Sequence, residues 1–99
     1  MSSIDINSFV ETLINGLKFY LKNEKVKIVD FDFQALENEL ISEFSLPFID
    51  QSQTPTQFLS DFVKNKYGVE KIITPQHLGT EAHEQIMLWG LTKAKSFND

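Results

Sequence analysis

Four potential metal ligands lie within eight consecutive positions near the C-terminus: His77, Glu81, His83 and Glu84. Imidazole and carboxylate groups are common zinc ligands. On one continuous helix His77 and Glu81 would share a face, because residues four positions apart are neighbours. The spacing is not that of an H-E-x-x-H motif, and Gly79-Thr80 predicts a break between the two residues. We therefore expect no metal site, and we interpret His83 as a hydrogen-bonded residue at the core boundary.

Nucleophiles and phosphate-binding loops are the other groups whose spacing would predict chemistry. The chain has no cysteine, which excludes thiol catalysis, thiolate metal sites and disulfides. It has neither a G-x-S-x-G elbow nor a glycine-rich nucleotide-binding motif, and its four glycines are scattered. The sequence therefore predicts no enzyme, with no catalytic, cofactor-binding or metal-binding residue.

Charge is segregated along the chain. The net charge is −5, and all nine basic residues are lysine. Because arginine is the usual bidentate reader of phosphates and guanine, its absence disfavours specific nucleic-acid recognition. Residues 28–63 contain seven acidic residues and no basic one. Three interpretations of this acidic stretch stay open: a solvated face, a surface for a basic partner, or a mimic of nucleic-acid phosphates.

Helix-capping signals divide the chain into four helices. Ser8 and Glu11 match a capping box, which predicts that the first helix starts at residue 7 or 8. Thr54-Pro55 is typical of a helix start, and Gly68 of a helix stop. The first predicted helix ends near Asn23. The second spans 33–44 with Asp32 as its cap, the third spans 55–67, and the fourth spans 80–95.

The connecting segments carry two further predictions. Residues 25–31 and 69–73 are rich in β-branched side chains, so a minor two-stranded β element between them is an optional addition to the helices. The loop 45–53 contains Pro47, and we expect Phe48 and Ile49 to anchor it in the core.

Apolar periodicity defines which helix faces are buried. The first helix has one apolar face, and Phe19 lies outside it. The last helix has apolar residues over an arc of about 200°, whereas Leu88 falls outside that arc. An arc this wide indicates a helix central to the bundle, or a helix that buries a second side in a partner or in a second copy. The residues of the wide arc are Ala82, Ile86, Met87, Trp89, Gly90, Leu91 and Ala94.

These observations predict a mainly α fold, a small four-helix domain that comprises residues 1–99. The N-terminal segment has no basic residue before its apolar positions, and no apolar run approaches about 18 residues, so we expect neither a signal peptide nor membrane insertion. Together with the absence of cysteine, this favours a cytoplasmic location.

The predicted function is that of a small acidic protein-interaction domain, of a regulatory or inhibitor type, that acts by binding another macromolecule. We expect a protein partner, of basic character if the acidic stretch is used, with a homodimer as an alternative and no cofactor. A DNA-associated helix-turn-helix-like regulator is the second hypothesis, and a small enzyme the third. The candidate partner surface comprises Asp30, Asp32, Glu37, Glu39, Glu43, Asp50, Phe19 and Leu88.

Overall fold

Four α-helices account for most of residues 5–98, the part of the chain that this computed structural model describes. Short 3₁₀ turns, Phe48–Asp50 and Pro75–Leu78, lie before the third and fourth helices. The mainly α, four-helix prediction is therefore confirmed. The helices are α1 (Ile6–Asn23), α2 (Phe33–Phe44), α3 (Pro55–Tyr67) and α4 (Thr80–Asn98).

The capping signals predicted the start of α2 and both ends of α3, with Gly68 as the left-handed stop, but they were wrong about the cap of α1. The Asp32 carboxylate caps α2, and the Thr54 hydroxyl accepts the Gln57 N–H at the start of α3. The start of α1 differs, because Asp5 rather than Ser8 is its cap and accepts the backbone N–H of Asn7 at 3.1 Å. Aspartate caps a helix as well as serine does, so the helix begins earlier and gains Ile6.

Helix α1 is the centre of the fold. It packs against α2, against the Pro75–Leu78 turn and against α4. Its predicted apolar face is buried, and Phe9 makes an edge-to-face contact with Phe44 of α2. The buried side chains of α1 form one face of about 140° that continues along most of the helix, and α2, the Pro75–Leu78 turn and α4 all pack against the helix. These buried side chains are Phe9, Val10, Leu13, Ile14, Leu17 and Leu21.

One glycine decides how closely the Pro75–Leu78 turn approaches α1. A Cβ atom placed on Gly16 would lie 2.3 Å from the carbonyl oxygen of Leu78, far inside van der Waals contact. Leu78 is buried at this crossing and leads directly into α4. Gly16 therefore determines where α4 begins relative to α1.

The structure has no β-strand within residues 5–98, so the optional β element was wrong. Lys25 adopts a left-handed backbone with φ of 61°, and the Val26 N–H bonds to the carbonyl of Leu21, which closes the end of α1. Residues 69–73 are held by side chains instead of a backbone ladder. The Tyr20 hydroxyl donates to the carbonyl of Ile72, and Lys71 forms an ion pair with Glu24.

No helix among residues 5–98 combines the length and the apolar character that a membrane span requires. The longest extent of the described structure is 44 Å, against 24 Å and 21 Å in the other two directions. Helix α4 has 19 residues and is therefore about 28 Å long.

Candidate functional site

Helix α4 is fixed in rotation by a buried polar network at Trp89. The Trp89 indole N–H donates to Oε1 of Gln51 at 3.1 Å, and Nε2 of Gln51 donates to the carbonyl of Leu46 at 2.8 Å. Lys93 donates to the Gln51 carbonyl at 3.1 Å, and its ammonium lies 5.1 Å from the centre of the Trp89 ring. These bonds link α4 to the loop before α3 and determine which side of α4 faces the core.

Gln51 is the residue that sequence reasoning missed. It is buried, with 7% of its surface exposed, and it anchors the loop 45–53 through its side-chain amide. Ile49, which we expected to anchor this loop, is 77% exposed, while Phe48 packs partly against the core. A single glutamine in a polar loop carries no periodic signal, so only its contact with Trp89 reveals its role.

The side of α4 opposite Trp89 is an exposed apolar face. Met87, Leu88 and Leu91 expose 54%, 44% and 65% of their surfaces. With Ala94 they lie within an arc of about 120° on the helix, at 100° per residue. Helix α4 is therefore not the central helix, and the core explains only its other side, where Ala82, Ile86 and Trp89 are buried. We call Met87, Leu88, Leu91 and Ala94 the α4 face.

Charged residues of opposite sign flank the α4 face at its two ends. Glu84 lies one turn before Leu88, and Lys95 one turn after Leu91, on the same flank of the helix. Both are exposed. Phe97, in the last turn, is 56% exposed, but it lies about 120° around the helix from Leu91 and therefore outside the α4 face.

The acidic stretch is partly used inside the fold. Glu39 pairs with Lys66 of α3 at 3.6 Å. Glu43 accepts the backbone N–H of Ser52 at 3.2 Å, and Asp32 caps α2. These three carboxylates therefore have structural partners, which reduces the charge that they offer to another molecule.

The remaining members of the predicted partner surface do not converge. Asp30 lies in the turn before α2, and Asp50 lies in the 3₁₀ turn that follows α2. Glu37 is about 200° around α2 from Glu39. Phe19 is 66% exposed on α1, and Leu88 belongs to the α4 face. The structure thus distributes the eight residues over several surfaces and brings none of the acidic ones onto the α4 face.

The two histidines lie in different surroundings. His77 stacks on Tyr20 with ring centres 4.5 Å apart, and its Nδ1 accepts the backbone N–H of Thr74 at 3.2 Å. His83 is half-buried on α4, at the boundary of the core as expected, but within residues 5–98 its ring makes no hydrogen bond. In the described residues no three histidine, aspartate or glutamate side chains are close enough to hold a metal ion.

Two open clefts mark the surface of the described residues. One, of about 350 Å³, lies between α1 and the start of α4 and brings Glu11 and Glu81 to its walls. The other, of about 250 Å³, lies between α2 and α3 around Phe58 and the Glu39–Lys66 pair. Both are shallow and solvent-exposed, so neither concentrates polar groups in a desolvated site.

The arrangement of α3 and α4 differs from a helix-turn-helix. That motif joins its two helices by a turn of about three or four residues. Here residues 68–79 separate the helices, and they include the 3₁₀ turn that packs on α1. The exposed part of α4 also presents more large apolar than basic side chains.

Comparison with protein-family models, curated proteins and solved structures found no match to this chain.

Proposed function

We propose that this chain is a small protein-interaction domain that acts by binding another protein through the α4 face, with no catalysis of its own. The observation that carries the proposal is the exposure of Met87, Leu88 and Leu91 on a helix whose opposite side is fixed by Trp89. Scattered exposed apolar residues are normal on protein surfaces, whereas a continuous apolar face is typical of an interaction site.

The free energy expected from burial favours the α4 face over the acidic stretch as the binding surface. Full burial of a leucine or methionine side chain contributes about 1.5–3 kcal/mol. The three large residues of the α4 face are each about half exposed, so covering them would contribute about 2–5 kcal/mol before the cost of association. An exposed ion pair contributes about 0.2–1 kcal/mol, and three carboxylates of the acidic stretch already have partners.

A regulatory or inhibitor role fits a domain of this kind. Its surface would act by covering part of another protein, and the remaining acidic residues would influence the rate of encounter with a basic partner. Unlike the apolar contact, this contribution should weaken with salt, because charges are screened beyond about 8 Å at physiological ionic strength.

The test compares two substitutions of the same kind at positions of similar exposure. Leu91→Glu places a charge on the α4 face, while Val29→Glu places one in the turn between α1 and α2, where the side chain is 84% exposed. Both variants should fold, as judged by circular dichroism. In affinity capture from a native lysate, Val29→Glu should retain the partner of the wild-type protein and Leu91→Glu should lose it.

Equal capture by wild-type protein and Leu91→Glu would contradict the role of the α4 face. In that case the acidic stretch becomes the surface to examine, by charge reversal at Asp50 and Glu37. Glu43 is unsuitable for this purpose, because its side chain holds the loop at Ser52.

A further inference from the structure

The charges that flank the α4 face are complementary to those of a second copy placed in the opposite direction. Glu84 and Lys95 lie on the same flank and are eleven residues apart, which is about 16 Å along the helix. Lys93 is not available in the same way, since it donates to Gln51 and lies over Trp89. The exposed charge on this flank is therefore negative towards the start of α4 and positive towards its end.

We propose that the α4 face binds a second copy of this chain in an antiparallel helix pair. This inference rests on the proposed function, because it names the partner of the same surface. A two-fold axis between residues 89 and 90 places Leu88 of one copy against Leu91 of the other. The same axis places Glu84 of each copy opposite Lys95 of the other, so two ion pairs flank the apolar contact.

The antiparallel direction follows from the charges. In a parallel pair Glu84 would face Glu84 and Lys95 would face Lys95, and like charges repel at both ends. The antiparallel pair also opposes the two helix dipoles. Gly90 lies beside this face, and a Cβ there would meet no atom within 4 Å, so the helix surface is open at this position.

Such a dimer should be weak and concentration-dependent. A contact made mainly by one helix of each copy is smaller than the interface of a typical stable dimer, and a net charge of −5 on each copy opposes association. The local pairing of Glu84 with Lys95 offsets this repulsion where the copies meet.

Sedimentation velocity over a wide range of protein concentration tests the proposal. The mass of the wild-type protein should rise from 11.4 kDa towards twice that value. Leu91→Glu should raise the dissociation constant on the order of a hundredfold, because the change occurs in both copies. Val29→Glu is the matched control and should dimerise like the wild type.

Charge exchange identifies the direction of the pair. Glu84→Lys and Lys95→Glu should each weaken dimerisation by about tenfold, since each creates two like-charge contacts. The double variant Glu84→Lys/Lys95→Glu restores both ion pairs and should recover the wild-type dissociation constant. An equimolar mixture of the two single variants should also dimerise, with one copy of each.

Several results would overturn this self-association. They are a wild-type protein that stays at 11.4 kDa at all concentrations, a dimer indifferent to Leu91→Glu, and a double variant as weak as the single ones. A monomeric wild type that still loses a captured protein through Leu91→Glu would leave the proposed function intact while refuting the second copy. Capture indifferent to Leu91→Glu would refute the proposed function separately.

Discussion

Gly16 and Gly90 both lie inside helices, yet alanine should have opposite effects at the two positions. At Gly90 a Cβ has no neighbouring atom within 4 Å. Alanine there should raise the free energy of unfolding by about 0.5–1 kcal/mol, through its higher helix propensity. At Gly16 the same Cβ would lie 2.3 Å from the carbonyl oxygen of Leu78. This obstacle is backbone, which cannot rotate away as a side chain does.

The expected loss at Gly16 follows from two opposing contributions. Alanine gains up to about 1 kcal/mol of helix propensity, as at Gly90. Overpacking typically costs about 1–3 kcal/mol, and we expect the upper part of that range because the Pro75–Leu78 turn must move away from α1. Gly16→Ala should therefore lower the free energy of unfolding by about 2 kcal/mol, which leaves the two alanine variants about 3 kcal/mol apart.

Urea and thermal denaturation followed by circular dichroism measure this difference. At about 4–8 °C per kcal/mol for a chain of this length, the melting temperatures of the two variants should differ by about 12–24 °C. Low protein concentration keeps association from contributing to the measured stability. If Gly16→Ala proved as stable as Gly90→Ala, the close approach of Leu78 to α1 would be refuted, and with it the placement of α4.

Three further predictions concern stability, each measured by urea denaturation. Trp89→Ala should lower the free energy of unfolding by about 3–5 kcal/mol, because it empties a buried site and removes the bond to Gln51. A decrease below about 1 kcal/mol would show that Trp89 is not packed as described. Gln51→Leu should lose about 1–3 kcal/mol by leaving the Trp89 N–H unpaired, and adding Trp89→Phe should cost less than the sum of the two changes. Lys25→Gly should raise the free energy of unfolding by about 0.5–1 kcal/mol and Gly68→Ala should lower it by about 1 kcal/mol, since both positions end a helix in the left-handed region. Changes of the same sign in the two variants would contradict that geometry.

The helices of this protein were predictable because their signals are local. Thr54 and Pro55 start α3 and Gly68 ends it through contacts with residues a few positions away, and these contacts need no tertiary partner. The buried side of α1 was equally predictable from its periodicity. The prediction for the cap of α1 was wrong, because Asp5 and Ser8 have similar capping strength and stand three positions apart. The sequence does not rank them.

The prediction of a β element was wrong for a related reason. Its β-branched residues reflect a preference for extended backbone, but a strand exists only if another strand supplies hydrogen bonds along its length. The left-handed Lys25 turns the chain at the end of α1, and a turn between Ile28 and Phe31 interrupts the rest of the segment. Propensity alone does not reveal either turn.

The candidate site was the least predictable part. Sequence periodicity identified the wide apolar arc of the last helix and set Leu88 outside it, but left open whether a core or a partner covers the second side. Only the packing of α1 in the centre and the bond from Trp89 to Gln51 determined that Met87 and Leu91 face outwards. The sequence by itself thus determined the helices, the caps of α2 and α3 and the charge segregation, because these depend on neighbouring residues. The rotation of α4, and therefore its exposed apolar face, depends on contacts such as that from position 51 to position 89, which only the tertiary structure decides.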